Sequence, residues 1–499
     1  MLALLLLCPV LLGLFWWKIH IQRRQFLTAF APIPGPRGLP LLGNAPEVAR
    51  LDTTELLEKM FIWTSTYGAR TKFDLFTKFW IMHASPEDIE KIATDANFNR
   101  KSNDYDVLQE WLGNGILLDH GQSWFVNRRA LTPAFHFKIL ETFIPTMQDQ
   151  AMVLVQKLLA SGGRPVDIFP AMKLYALDVL LETAMGVRIG VQQNDSEYVR
   201  AVAGLSHITF WRMTNFMGYA EWTFRWTKHY KPYQEMLKVS DDFTMGIILK
   251  RRAELVDGII EEVDENENEM KKRIPLLDKL LQLEVEGRRL TNEEIRAQVN
   301  TFMFAGHDTT SSALTFIVFL LAKHPEIQKK VYDEIVSVIG SSKSIPPLTT
   351  AMLNELKYMD LAIKEALRIY PTVPFMSRTI DADQEVAGVT YPKGTIISLG
   401  VIFMQRNPKY FPQPTRFIPE RFSMETDAEK RNPYTYIPFS AGSRNCIGQK
   451  FAMNKIKVLL IYVLTFCRAE LEDPDFEPRL KAELILKPVD GMPVRFLPR

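Results

Sequence analysis

The sequence predicts a mainly α-helical protein with a small β subdomain. Three observations lead there. Apolar residues recur at helical spacing through several long stretches, the longest opening at Thr291 and closing before Pro325. Strand-like runs are short, and they cluster around 71–83, 385–401 and 484–496. The 499 residues are 47% hydrophobic and 24% charged, a globular balance that can bury a large core.

The formal net charge of +2 argues against a dedicated nucleic-acid binder. Cys8, Cys446 and Cys467 stand at unrelated positions and form no disulfide framework, which favours a reducing compartment for the bulk of the chain. They are also too few for a zinc or iron–sulfur site.

Leu2 to Trp17 is almost wholly apolar and is followed by Lys18, His20, Arg23 and Arg24. No basic segment precedes the run and no clear small-residue cleavage site follows it, so residues 1–24 are expected to be a signal anchor. Trp16 and Trp17 suit a membrane–water interface, with the cations after them cytoplasmic. The run is slightly short of the about 20 residues of an untilted span, and Ile19 and Ile21 extend it. Pro32, Pro34, Pro36 and Pro40 stiffen a hinge over 25–44, leaving 45–499 as the main domain.

Within that domain, Thr53 to Tyr67 reads as an amphipathic helix, 71–83 as paired strands, and 85–94 as a helix with Pro86 in its first turn. Asn114-Gly115 marks a turn. Trp124 and Arg128 share a helix face, where an indole N–H and a guanidinium can donate jointly to one carboxylate; a surface cation–π pair is the alternative. Asp167 to Met185 is a largely apolar helix capped by Asp167. Eight aromatic residues run from Phe210 to Tyr230, a cluster that reads as ordinary core. The charge run 261–273 reads as a solvated loop.

Thr291 and Glu294 form a capping box, and the helix they open stops at His324-Pro325. At roughly thirty residues it is about 45 Å long. Its middle carries Ala305-Gly306-His307-Asp308-Thr309-Thr310, a polar patch in an otherwise apolar helix. Glycine weakens the helix there, and a threonine hydroxyl that bonds a carbonyl one turn back invites a local opening. Further on, Glu365 and Arg368 stand at helical spacing, followed by Pro419-Glu420-Arg421-Phe422. The runs 385–390 and 395–401 suggest a small sheet joined through Pro392-Lys393-Gly394, and 484–486 with 494–496 reads as a hairpin about Asp490-Gly491.

The most informative stretch is Phe439 to Gly448, where Cys446 sits in a glycine-punctuated loop just before the apolar-periodic run Gln449 to Cys467. A helix N-terminus favours thiolate over thiol. One thiolate suffices as the axial ligand of haem iron, because the porphyrin fills the plane; a structural cysteine is the alternative. Arg444 puts a cation two residues away, suited to a carboxylate on a bound ligand.

The run F-S-A-G-S-R-N-C-I-G resembles the haem-binding signature of the cytochrome P-450 superfamily. That resemblance extends from about Pro32 to the C-terminus and implies the P-450 fold. It makes Cys446 the proximal iron ligand, with Phe439 and Arg444 around the haem. Trp124 and Arg128 match the family's W-x-x-x-R, which holds a haem propionate, and Arg378 falls at another propionate-binding position. Thr309 would hydrogen-bond the distal oxygen, with Asp308 relaying protons. Glu365, Arg368 and Arg421 would form a buried ion-pair triad. The segment Gln298 to Thr310 is similar to the motif of family 4, the fatty-acid ω-hydroxylases, and Leu131 to Leu140 points the same way. Ala305 stands where many family-4 members have an ester-forming glutamate, so the resemblance implies non-covalent haem b and does not carry over the strict terminal-carbon selectivity of a tethered ring.

The implied function is a membrane-bound haem-thiolate monooxygenase that inserts one oxygen atom from O2 into a hydrophobic substrate, whether fatty acid or other lipid, hormone or xenobiotic. Electrons would come from NADPH–cytochrome P-450 reductase, with cytochrome b5 as a further donor, at the endoplasmic reticulum membrane. A haem-dependent isomerase or dehydratase without net O2 use, and a non-catalytic haem sensor, are the alternatives. Lys450, Lys455, Lys457, Arg129 and Lys138 are a candidate docking face for an acidic reductase, with solvated lysines the plainer reading.

Overall fold

The computed structural model describes residues 2–76, 78–194, 196–257, 275–285, 287–340, 344–423 and 431–499. The side chains of residues 2–12, 15, 16 and 216 are outside this description, as is the charge run 261–273. The chain forms two compact units. The first comprises Met1–Asp104, Phe375–Tyr410 and Asn432–Asn445; the second comprises Tyr105–Pro374, Phe411–Arg431 and Cys446–Arg499.

The first unit is built on a four-stranded sheet in the order Arg70–Leu75, Lys78–His83, Ile396–Gly400, Phe375–Thr379. Helix Thr53–Tyr67 has its predicted bounds, and a capping box between Asp52 and Glu55 explains its start. The run 385–390 does not pair with 395–401. It folds on itself, Gln384–Val386 against Val389–Tyr391, because Ala387 and Gly388 both take positive φ and close a tight turn. Ile396–Gly400 is buried throughout and finds partners on both sides in the larger sheet.

Helix Leu2–Ala29 covers the expected anchor and continues five residues into the expected hinge. Among the described residues no helix is long and apolar enough to cross a membrane. Its C-terminal end belongs to the first unit's core: Phe26 stacks on Phe79 at 4.6 Å, and Arg23 pairs with Asp74. Arg23, expected as a cytoplasmic flanking cation, is therefore buried.

The second unit is organised around the long helix Asn292–Lys323. The Thr291 hydroxyl accepts from the Glu294 N–H at 3.2 Å and the Glu294 carboxylate accepts from the Thr291 N–H at 2.8 Å, the reciprocal cap expected from sequence. This helix packs most extensively on Ile168–Thr183 and also meets Lys357–Ile369 and Gln449–Phe466. The expected hairpin about Asp490-Gly491 does not form. Leu486–Pro488 pairs back with Leu480–Ala482, while Pro493–Pro498 lies between Cys467–Glu470 and Val166–Asp167. Long-range pairing buries Val494 and Phe496 completely, which a local hairpin would leave half exposed.

Glu365, Arg368 and Arg421 do come together. The fully buried Glu365 carboxylate accepts from Arg368 Nε and Nη2 at 2.7 and 2.8 Å and from Arg421 Nε at 3.2 Å. The Ile418 N–H supplies a fourth donor at 3.1 Å, so the buried carboxylate is fully partnered.

Candidate functional site

In the first unit, the loop Phe439–Asn445 holds Arg444 against Asn99, whose carbonyl and side-chain oxygen accept from Arg444 Nε at 3.1 and 2.7 Å. Gly442 has φ +68°, and a Cβ there would strike the Ala93 carbonyl, so the loop's approach to helix Pro86–Thr94 requires glycine. Ser440 also takes positive φ, and Phe439 is partly buried. Arg378 is buried on strand Phe375–Thr379, where it forms a bridge with Lys101. The Lys101 ammonium is pushed well below its ordinary pKa by burial, with Arg378 and Arg444 adding repulsion. Lys101 was not singled out in the sequence, since nothing near residue 101 signals that the sheet will bring it beside two arginines.

In the second unit, helix Gly121–Leu131 buries Trp124 and leaves Arg128 partly covered. Burial lowers the Arg128 pKa, and a thiolate at Cys446 would oppose that shift. Cys446 lies three residues before helix Gln449–Phe466. Its thiol is raised, against the sequence expectation: burial outweighs the Gly448 N–H and Arg128, which pull toward thiolate. The helix terminus and cation are both present, and the Cys446 side chain is itself exposed, so the protein around the loop shifts the thiol without sealing it from solvent.

The polar patch of the long helix is held by charge. Asp308 is 0% exposed, with Lys173 Nζ 2.9 Å from Oδ1 and Lys487 Nζ 3.5 Å from Oδ2. Burial alone would raise this carboxyl, but Lys487 and Lys173 together hold it well below the usual range. Lys487 also pairs with the buried Glu483 at 3.2 Å, and Glu483 meets His207 at 3.0 Å. The His207 side chain is 55% exposed, so titratable groups run from solvent to Asp308. Helix geometry is uninterrupted at Gly306, and no opening is seen. The Thr309 and Thr310 hydroxyls donate to the Ala305 and Gly306 carbonyls at 2.7 and 3.0 Å without breaking the helix. Ala305 is partly buried on the same turn as Thr309.

Neither Lys173, Lys487 nor Glu483 was legible as a site residue. Each is a single charge on a short, otherwise ordinary segment, and only tertiary packing buries them together.

The docking face expected from Lys450, Lys455, Lys457, Arg129 and Lys138 is not a face. Lys455 and Lys457 are buried, Lys457 pairing with Asp360 at 2.8 Å, while Lys450, Arg129 and Lys138 are exposed. The aromatic cluster also divides. Phe224 is buried beneath the Arg212 guanidinium at 4.0 Å, whereas Trp222 and Trp226 are 72% and 88% exposed.

A family model described as Cytochrome P450 matches residues 33–494. Among curated proteins, "Cytochrome P450 4d1" of Drosophila simulans is 39% identical over 495 residues, covering 96% of this chain and 95% of its own. "Cytochrome P450 4c21" of Blattella germanica is 38% identical, covering 94% and 93%. Among solved structures, "Crystal structure of cytochrome P450DA heme domain" superposes with a TM-score of 0.79 at 23% identity, covering 94% of this chain and 98% of that one, a likeness of fold.

Proposed function

From the premise that this chain belongs to the cytochrome P450 family, and is therefore a haem-thiolate monooxygenase, we propose that it hydroxylates a hydrophobic, lipid-like substrate at the endoplasmic reticulum membrane. The family implies haem b, a reductase as redox partner and a hydrophobic substrate. The finer assignments are a fatty acid or related lipid as substrate, NADPH–cytochrome P-450 reductase and cytochrome b5 as electron donors, and an N-terminal anchor over 1–24. They draw support from the family-4 relatives and the apolar N-terminal run.

The residues present fit the group. Arg378 and Arg444 would hold a carboxylate such as a propionate, with Lys101 paired in backbone register to Arg378. Cys446 would ligate the iron, and metal coordination would overcome the burial that raises the free thiol. Trp124 and Arg128 would bind the second carboxylate, and Phe439 would pack beside the ring. With alanine at position 305, the haem is held without an ester bond. Bound there, haem supplies dioxygen binding and oxygen-atom insertion, with the thiolate favouring O–O cleavage.

The protein's own part is proton handling. Asp308 stays ionised, so it passes on protons rather than storing them. The ammonium groups of Lys173 and Lys487 hold exchangeable protons beside its two oxygens. Glu483 and His207 extend that chain of donors and acceptors to solvent. The Thr309 hydroxyl rests on the Ala305 carbonyl and, released from it, would hold a proton at Oγ1 beside Asp308.

The observation that carries the reading is the placement of Cys446, three residues before helix Gln449–Phe466 and directly after a loop whose close approach at Gly442 requires glycine, in a chain that the family model matches over residues 33–494. The test is the reduced, carbon-monoxide-treated protein. A strongly red-shifted Soret band is expected, and it is expected to vanish in Cys446→Ser; a band that survives the substitution overturns the assignment. Substrate-induced spin-state shifts across a panel of fatty acids, steroids and xenobiotics would identify the substrate class.

A further inference from the structure

We infer that Lys455 is a positioning residue, whose ammonium holds the Gly306 carbonyl and so ties the helix that follows Cys446 to the turn carrying Asp308 and Thr309. The inference rests on the monooxygenase reading of those three residues. Lys455 is 0% exposed on helix Gln449–Phe466, and its Nζ donates to Gly306 O at 2.8 Å and to Ala176 O at 3.4 Å. The Phe451 ring lies 5.2 Å from the ammonium, and the Lys455 carbonyl accepts from the Tyr175 hydroxyl at 3.1 Å. Both ends of the residue are thus fixed, and one side chain spans three helices.

Packing does not account for it. Among the described residues no carboxylate pairs with Lys455, and burial alone brings its pKa down to about 7. The Gly306 carbonyl does not need the contact either, because Thr310 already donates its hydroxyl at 3.0 Å in the same helix. A buried cation without a counter-ion makes the fold less stable than an apolar residue of the same shape would. What the contact does provide is a fixed reference for the next three residues. Gly306 immediately precedes His307, Asp308 and Thr309, and a Cβ on Gly306 would crowd Leu180 at 3.0 Å, so the helix lies close against its neighbour there. The other titratable groups around Lys455 leave it as the one that changes near neutrality. Burial holds His307 neutral with a pKa of about 4, Asp308 is ion-paired with Lys173 and Lys487, and burial raises the Tyr175 phenol.

The experiment compares the full-length, haem-loaded protein with Lys455→Met, which keeps the shape and removes the donor. Amide hydrogen exchange over 303–310 is expected to rise at least tenfold, while helices Pro325–Ile339 and Lys357–Ile369 keep their protection. The thermal midpoint is expected to stay or rise. Peroxide released per product formed is expected to increase at least threefold with reductase. A purely structural lysine would instead lower the midpoint and raise exchange in all these helices, and that result, or unchanged exchange over 303–310, overturns the inference. Should Lys455→Met fail to fold, Lys455→Gln, too short to reach Gly306, is read by the same exchange pattern. The red-shifted carbon-monoxide band is recorded throughout: its absence from the parent protein sinks the monooxygenase reading, whereas its presence with unchanged exchange sinks the role of Lys455 alone.

Discussion

Lys173 Nζ lies 2.9 Å from Asp308 Oδ1, with the lysine side chain 7% exposed and the aspartate fully buried. This pair joins the long helix to helix Ile168–Thr183, against which it packs most extensively. It places a charged group inside an apolar helix beside the threonine proposed to handle oxygen.

Removing the carboxylate therefore has two effects. Asp308→Asn leaves Lys173 and Lys487 without their shared anion and should cost about 3–5 kcal/mol of stability, as for other broken buried pairs. In the folded fraction, product formation should drop by about 10²-fold or more, with a larger share of reducing equivalents lost to peroxide. Denaturant unfolding and product-to-peroxide ratios check the two effects separately. Loss of stability with unchanged ratios would confine Asp308 to a structural role.

Thr309→Ala removes only a hydroxyl that rests on the Ala305 carbonyl, so stability should change by less than about 1 kcal/mol. Product formation should fall at least tenfold all the same. Undiminished turnover would instead favour a reaction that consumes no O2.

The Glu483 carboxyl sits at about 2, below its ordinary 4.5: burial would raise it, but His207, Lys487 and Lys481 outweigh burial. A depressed carboxyl contributes stability that is present above the unfolded pKa and lost as pH falls toward the folded one. The window is thus from about pH 5 down to about 2, and the contribution is about 3 kcal/mol. Stability curves of Glu483→Gln and the parent should differ above pH 5 and converge below pH 3. Parallel curves would show that Glu483 titrates normally.

Lys455 has the opposite sign. Its folded pKa, near 7, lies below the unfolded 10.5, so the unfolded chain binds more protons between those values and stability rises with pH there. Lys455→Met should be most favoured over the parent at pH 7 and below, and that advantage should shrink by up to about 1.4 kcal/mol per pH unit above it. Urea unfolding at pH 7, 8 and 9 measures the trend, and a constant difference would place the ammonium in a wetter site than its full burial indicates.

Glu365 anchors two arginines, and its replacement takes the carboxylate from the buried Arg368 and the partly buried Arg421. Glu365→Gln should destabilise by about 3–5 kcal/mol and reduce the haem content of the purified protein. Normal haem loading in this variant would separate the triad from formation of the cysteine loop.

Much of this was legible from local signals. The caps at Thr291 and Asp167, the stop at Pro325 and the Phe439–Gly448 loop are each written in a few adjacent residues, and helix ends depend mainly on such neighbours. Strand partners were not legible. The stretch 493–498 has the alternation of a strand, but nothing within it selects Cys467–Glu470 over the nearer Leu486. The docking face failed for a related reason. Lysines at 450, 455 and 457 look alike in sequence, and only the packing of helix Gln449–Phe466 sends two of them inward.

By itself, then, the sequence determined the helical class, the position of the cysteine and the polar patch at Asp308 and Thr309 within the long helix. Tertiary structure alone decided what surrounds them: Lys173 and Lys487 on Asp308, Lys101 beside Arg378 and Arg444, and Lys455 on Gly306. The physical reason is distance along the chain. A cap or a loop is satisfied by residues a few positions away, whereas a buried charge takes its pKa and partners from segments a hundred or more residues off, brought near only when the core closes.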